Sequence, residues 1–155
     1  AIRADTAYIV TNLMKGVVQR GTAVRATRLG RPLGGKTGTT NDYTDAWFVG
    51  ITPDHAMAVW VGFDDNRPTG MTGATGALPL FVDFARRAGI GNSTASFPLP
   101  PGVQRVEIDP ATGGLARKRC PERETALVLA DSPPPRCLEH APGGFLSRLL
   151  GKDSP

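Results

Sequence analysis

Two apolar runs, Asp45–Ile51 and His55–Phe63, are separated only by the turn signal Thr52-Pro53-Asp54. So short a link permits only an antiparallel pair, because a parallel return needs a crossover of about a dozen residues or more. In the first run Trp47, Val49 and Ile51 alternate with Ala46, Phe48 and Gly50. In the second, Met57, Val59, Val61 and Phe63 alternate with Ala58, Trp60 and Gly62. Neither face of the predicted hairpin is polar, so helices are expected to cover both. The small residues Ala46, Gly50, Ala58 and Gly62 are expected to let one layer approach closely.

Two helical patterns flank this hairpin. Residues 5–19 carry Ile9, Leu13, Met14, Val17 and Val18 at helical spacing, with Asp5 placed to cap the first amides and Gly21 to end the run. Residues 78–88 carry Leu78, Phe81, Val82, Phe84 and Ala85 on one side, with Pro79 in the first turn and Gly89 beyond the end. A third strand is expected at 103–108, before the Asp109-Pro110 break. The fold class is therefore α+β, an antiparallel sheet flanked by helices with an irregular C-terminal tail. The 155 residues suffice for one core and fall short of a second domain of ordinary size. A net charge of +4, from basic residues that are scattered and not interleaved with aromatics, argues against a nucleic-acid partner. There is no long apolar span and no signal pattern, and the start at Ala1-Ile2-Arg3, directly ahead of a helix, reads as a piece of a longer polypeptide.

The chemistry concentrates in Gly34-Gly35-Lys36-Thr37-Gly38-Thr39-Thr40-Asn41-Asp42, which can be parsed in two ways. Gly30 through Thr37 matches the G-x-x-x-x-G-K-[ST] pattern of a phosphate-cradling loop. The apolar strand ending in Asp64-Asp65 would then hold magnesium. That parse needs a helix directly after Lys36-Thr37, and Gly-Thr-Thr-Asn-Asp is a poor helix start; it also needs a mainly parallel sheet. Lys36-Thr37-Gly38 is alternatively the Lys-Thr-Gly element of serine acyl-transfer enzymes. In a strand lining a cleft, Gly35 and Gly38 would remove side chains where a ligand backbone must lie. Lys36 supplies a compact cation, Thr37 and Thr39 supply hydroxyls, and main-chain amides can stabilise an oxyanion.

The succession of elements decides the matter. Arg20-Gly21-Thr22-Ala23, Gly35 through Asp42, Asp45-Ala46-Trp47-Phe48-Val49-Gly50, Val59-Trp60-Val61-Gly62-Phe63-Asp64-Asp65 and Ala77-Leu78-Pro79-Leu80-Phe81 follow in order. The series, with Pro100-Pro101-Gly102-Val103 downstream, resembles the C-terminal part of the transpeptidase domain of class A, bifunctional penicillin-binding proteins, over roughly residues 5–110.

The resemblance implies a five-stranded antiparallel sheet with a helix layer on each side and a helical second lobe, with the active site between the lobes. Leu33–Thr39 would border the cleft. It implies peptidoglycan cross-linking by serine D,D-transpeptidation of stem peptides, inhibited covalently by beta-lactams. The catalytic contributions carried over are the Lys36 charge and the Thr39 main-chain N–H, with Lys36, Thr37, Gly38 and Thr39 binding the substrate or the beta-lactam. The family's Ser-x-x-Lys and Ser-x-Asn elements have no counterpart here. Ser93, Ser96, Ser132, Ser147 and Ser154 all lie downstream of Lys36, and no nucleophile is assigned in this chain. Asp42, Asp45, Asp64 and Asp65 are expected to be loop and strand-end residues. The alternatives to an enzyme of this class are a phosphate-loop nucleotide-binding protein and a non-catalytic penicillin-binding-like scaffold module.

The implied partners are the upstream part of the same domain, stem peptides, beta-lactams, cell-wall synthesis proteins, and the membrane through an anchor outside this chain. The implied location is the periplasmic face of the bacterial inner membrane. Transpeptidation implies no cofactor, any divalent metal being confined to an upstream glycosyltransferase domain. Residues 1–97 would form the end of the transpeptidase domain and 98–155 an appendage, with Asp131-Ser132-Pro133-Pro134-Pro135 as an extended tether. Cys120 and Cys137 lack CxxC spacing, and His140 stands alone nearby, so no metal site is expected. The implied location permits a disulfide between them, or they stay unpaired.

Overall fold

A computed structural model describes residues 2–90, 92 and 95–140. The chain divides into two compact units, Ala1–Pro100 and Pro101–Pro155. In the first, helix α1 (Ala4–Arg20) precedes a 3-10 helix at Val24–Leu29, and strands β1 (Gly34–Thr39), β2 (Ala46–Ile51) and β3 (Ala56–Val61) lead to helix α2 (Ala77–Arg87). The strands form an antiparallel sheet in the order β1-β2-β3, with Lys36 opposite Val49 and Trp47 opposite Trp60. The hairpin forms where the turn signal predicts it, closed by the Thr52 N–H donating to the His55 carbonyl at 2.8 Å. Three of the five strands implied by the resemblance are present among the described residues.

The register separates two faces of unequal character. Ala46, Phe48 and Gly50 are buried under α2, with Met57, Val59 and Val61 half-buried beside them. The rings of Phe48 and Phe81 meet edge to face, 4.7 Å between centroids and tilted 75°. Both rings crowd the space above Gly50, where a Cβ would collide with Phe81. Gly50 is thus the position that lets the helix layer reach the strand. On the opposite face Met14 of α1 meets the sheet at Gly34. Farther along that face Trp47 and Trp60 stay 42% and 43% exposed, so helices do not cover both faces equally among the described residues.

Other expectations need correction. Asp5 lies inside the first turn of α1 and does not precede it; its carboxylate takes the Thr6 N–H at 2.6 Å and the Arg3 guanidinium. Val17 and Val18 of the α1 stripe join the core and Met14 meets Gly34, while Leu13 stays exposed. In α2, Phe84 points to solvent while Leu78, Phe81, Val82 and Ala85 are buried. Ala58 and Gly62 do not serve the helix layer. Ala58 sits on the opposite face, and Gly62 leaves room for the Trp60 indole.

The second unit pairs β4 (Val103–Ile108) with β5 (Glu124–Leu129), antiparallel, with Val103 opposite Leu129. The strand β5 was not legible because its alternation, Glu-Thr-Ala-Leu-Val-Leu, is apolar on both sides at one end and polar at the other. Asp131–Pro135 is no tether. It turns back after β5, with the Ser132 N–H on the Leu129 carbonyl, and the Leu115 N–H donates to the Pro135 carbonyl at 2.8 Å.

Replacing Gly50 by Ala should cost about 1–3 kcal/mol by overpacking two rings that have no room to move. Pairing Gly50→Ala with Phe81→Leu should cost less than the sum of the two single changes. Urea denaturation of the four proteins measures this, and additive losses would show that Phe81 is not what Gly50 accommodates.

Candidate active site

The Lys36 element lies on β1, a strand with a partner on one side only among the described residues. Beyond the strand's end the Thr40 N–H donates to the Asp45 carbonyl at 3.1 Å, so residues 40 and 45 form a hydrogen-bonded pair. Antiparallel pairing alternates, so Gly38–Trp47, Lys36–Val49 and Gly34–Ile51 are the other hydrogen-bonded pairs. The peptide N–H and C=O groups of Gly35, Thr37 and Thr39 therefore point away from β2, toward the open edge. The Lys36 ammonium confirms one of these by folding back onto the Thr37 carbonyl at 2.5 Å.

Side chains leave the strand on alternate faces. Lys36 is exposed on the face of Trp47 and Val49, and no salt bridge engages it among the described residues. Thr37 and Thr39 project on the α2 face. The Thr37 hydroxyl exchanges a hydrogen bond of 2.8 Å with the Thr22 hydroxyl. The Thr39 hydroxyl accepts the Gly73 N–H at 3.0 Å, which leaves its own proton to donate. Thr22 and Gly73 were not expected in the site; Thr22 follows the helix terminator Gly21, and Gly73 lies in a loop with no periodic signal. A Cβ on Gly73 would strike the backbone of Gly38 and Trp47, so the loop rests directly on the ladder.

The first glycine of the element differs in role from the expected one. Gly35 makes room for the buried Phe48 ring of the neighbouring strand, and not for a ligand. At Gly38 an added Cβ would meet Trp47 Cβ at 3.3 Å.

The phosphate-loop parse fails on this geometry. Lys36-Thr37 continues as strand through Thr39, where a helix N-terminus would have to stand, and the sheet is antiparallel. Asp64 and Asp65 are exposed in the loop after β3, with Asp65 taking the Arg67 N–H at 3.3 Å. Asp42 is exposed and holds a left-handed backbone at φ 59°. Asp45 accepts the Trp60 indole N–H at 2.7 Å and the Thr44 hydroxyl at 3.1 Å, which ties the start of β2 to β3. Ser96 and Ser132 are exposed and outside β1, and Ser93, Ser147 and Ser154 lie outside the described residues. Cys120 and Cys137 belong to the second unit, where both are free and buried.

The Trp60 indole, with the Thr44 and Thr40 hydroxyls, holds the Asp45 carboxyl below the usual carboxylate range. A lowered folded value means that the contribution is full above the unfolded pKa and is lost as pH falls through the folded one. Trp60→Phe removes the largest of these contributions and should therefore move the Asp45 pKa up toward the ordinary carboxylate range, as read by carbon-detected NMR titration. In the same way, the stability gap between the wild-type chain and Asp45→Asn should narrow below about pH 4. An Asp45 titration unmoved by Trp60→Phe would contradict the assignment.

The chain is similar to known proteins in both sequence and fold. The sequence profile of the penicillin binding protein transpeptidase domain matches residues 1–85. Penicillin-binding protein 1A of Pseudomonas aeruginosa is 40% identical over 155 residues, covering 98% of this chain and 19% of that protein. Penicillin-binding protein 1A of Neisseria gonorrhoeae is 46% identical over 106 residues, 66% of this chain and 13% of its own length. The crystal structure of penicillin-binding protein 1A from Haemophilus influenzae superposes with a TM-score of 0.77 at 27% identity, covering 88% of this chain and 22% of that one. The chain thus spans about a fifth or less of the length of these relatives. With the profile matching more than half of its residues, the chain belongs to the penicillin-binding protein transpeptidase family.

Proposed function

We propose that this chain supplies one wall of the active site of a serine D,D-transpeptidase that cross-links peptidoglycan, within a longer bifunctional glycosyltransferase/transpeptidase. The nucleophilic serine, its lysine base and the Ser-x-Asn element come from the preceding part of the domain. The serine oxygen attacks the penultimate D-alanine carbonyl of a stem peptide, D-alanine leaves, and the amine of a neighbouring stem takes the acyl group. On this wall the Thr39 N–H is one donor to the oxyanion, and Lys36 places positive charge toward the Ser-x-Asn serine and the substrate carboxylate. Thr37 and Thr39 hydroxyls bind that carboxylate.

The observation that carries the reading is the open edge of β1. An extended peptide can lie along the outward N–H and C=O groups of Gly35, Thr37 and Thr39, as strands add to exposed edges elsewhere. Preorganised amides cost little reorganisation when charge develops on the attacked carbonyl, so a donor fixed by a sheet suits this task. Beta-lactams acylate the same serine. The longer protein faces the periplasm from the inner membrane through an anchor that lies elsewhere in it, and cell-wall synthesis proteins are its partners. Transpeptidation needs no cofactor.

In the longer protein Lys36→Ala should lower the second-order rate of acylation by a chromogenic beta-lactam by on the order of 100-fold. Its folding stability should change by no more than about 0.5 kcal/mol, as for other exposed positions. Thr39→Ser should be mild, because the backbone donor remains, and Thr39→Pro severe. Stopped-flow acylation and thermal melts of each variant make the test. Near-wild-type acylation by Lys36→Ala would reduce the element to a surface strand.

The chain of 155 residues alone should form no covalent adduct with a labelled penicillin. A stable one-to-one adduct detected by mass spectrometry would overturn the assignment of the nucleophile to another part of the protein.

A further inference from the structure

The second unit has almost no apolar core. Val103, Asp109, Gly114, Cys120 and Cys137 are its buried positions among the described residues, so three of the five carry metal-ligating side chains. A unit of Pro101–Pro155 is below the size at which apolar burial alone ordinarily suffices, roughly 60 residues, and such units rely on staples.

The side chains converge on one point. β4 ends at Ile108, and the next residue, Asp109, closes a turn, its N–H on the Gly114 carbonyl at 2.9 Å and its carbonyl taking the Gly113 N–H at 2.8 Å. One carboxylate oxygen of Asp109 is held by the Ala111 N–H at 3.0 Å. The other lies 2.9 Å from His140 Nδ1 and 3.2 Å from Cys137 Sγ. Cys137 Sγ is in turn 3.3 Å from His140 Nδ1. Cys120 completes the group from the turn before β5, its sulfur receiving the Arg117 N–H at 3.2 Å. One ligating atom of each of Asp109, Cys120, Cys137 and His140 lies within 4.8 Å of every other. A tetrahedral ion with bonds of about 2.0–2.3 Å sets its ligand atoms roughly 3.3–3.8 Å apart, so small side-chain adjustments admit one.

We propose that Asp109, Cys120, Cys137 and His140 bind one zinc ion as a closed four-ligand site that holds the second unit together. Two thiolates, an imidazole and a carboxylate are zinc donors, and four protein ligands leave no open position for catalysis. Binding displaces the two thiol protons to solvent and involves no electron transfer. The bound set carries one net negative charge, and Arg117, Lys118, Arg119 and Arg136 line the cleft that His140 borders, where they offset it. A disulfide between Cys120 and Cys137 would use the sulfurs alone. It gives no reason for a fully buried carboxylate and an imidazole to close on the same point.

The test uses the full chain, purified metal-free under reducing conditions and titrated with cobalt and then zinc. The expected result is about one ion per chain, a cobalt spectrum with thiolate charge-transfer bands and tetrahedral ligand-field bands, and displacement of cobalt by zinc. Cys120→Ser and Cys137→Ser should each reduce the charge-transfer intensity, and His140→Ala should weaken zinc by at least roughly tenfold. Asp109→Asn should do the same; if it unfolds the unit, His140→Ala, at a partly exposed position, and the wild-type cobalt spectrum decide. Absence of zinc binding by the reduced chain overturns the proposal. So does an octahedral cobalt spectrum, or zinc affinity unchanged in His140→Ala. A chain purified without reductant that carries the Cys120–Cys137 bridge and no zinc also overturns it.

Discussion

The register between β1 and β2 is the constraint on which the rest of the first unit depends. Because the Thr40 N–H meets the Asp45 carbonyl, the even-numbered residues of β1 spend their peptide groups on β2, and Gly35, Thr37 and Thr39 keep theirs for the open edge. A slip by one residue would invert this and would turn Lys36 toward α2. Several features hold the register. Phe48 fills the place of the absent side chain at Gly35, Phe81 fills that at Gly50, and Asp45 ties the entrance of β2 to the Trp60 indole. Packing on one face of the sheet thereby sets which amides are offered at its edge.

The same logic explains why the site looks sparse when taken residue by residue. Lys36 is an exposed cation without a salt bridge among the described residues, and Thr37 and Thr39 are bound by neighbours, Thr22 and Gly73. None has a strained backbone or a buried charge to announce it. What distinguishes the strand is the combination of a free edge, preset amides and two hydroxyls held in place, that of Thr39 with a proton to spare. An acyl-transfer wall needs that combination, and a phosphate-binding loop does not provide it.

The hairpin, α2 and the strand at 103–108 were legible in the sequence because alternation, helical spacing and Gly or Pro punctuation agreed at each. Lys36, Thr37, Gly38 and Thr39 were legible only through the order of the elements around them. Three things were hidden. The role of Gly35 depends on a ring thirteen positions away in sequence and adjacent only through pairing. Leu13 and Phe84 match apolar faces but stay largely exposed, since periodicity reports which side a residue is on and not whether that side is covered. The convergence of Asp109 with Cys120, Cys137 and His140 had no spacing signature. The four residues come from a turn, a pre-strand loop and the segment returning after Asp131–Pro135, which composition alone marked as an extended linker.

The most direct test of the proposed wall is a crystal structure of the longer protein acylated by a beta-lactam. The account predicts the acyl carbonyl oxygen at about 2.9 Å from the Thr39 N–H, with the ligand's carboxylate on the Thr37 and Thr39 hydroxyls beside Lys36. An acyl group whose carbonyl oxygen points away from β1, with the Thr39 N–H hydrogen-bonded to another strand, would contradict it.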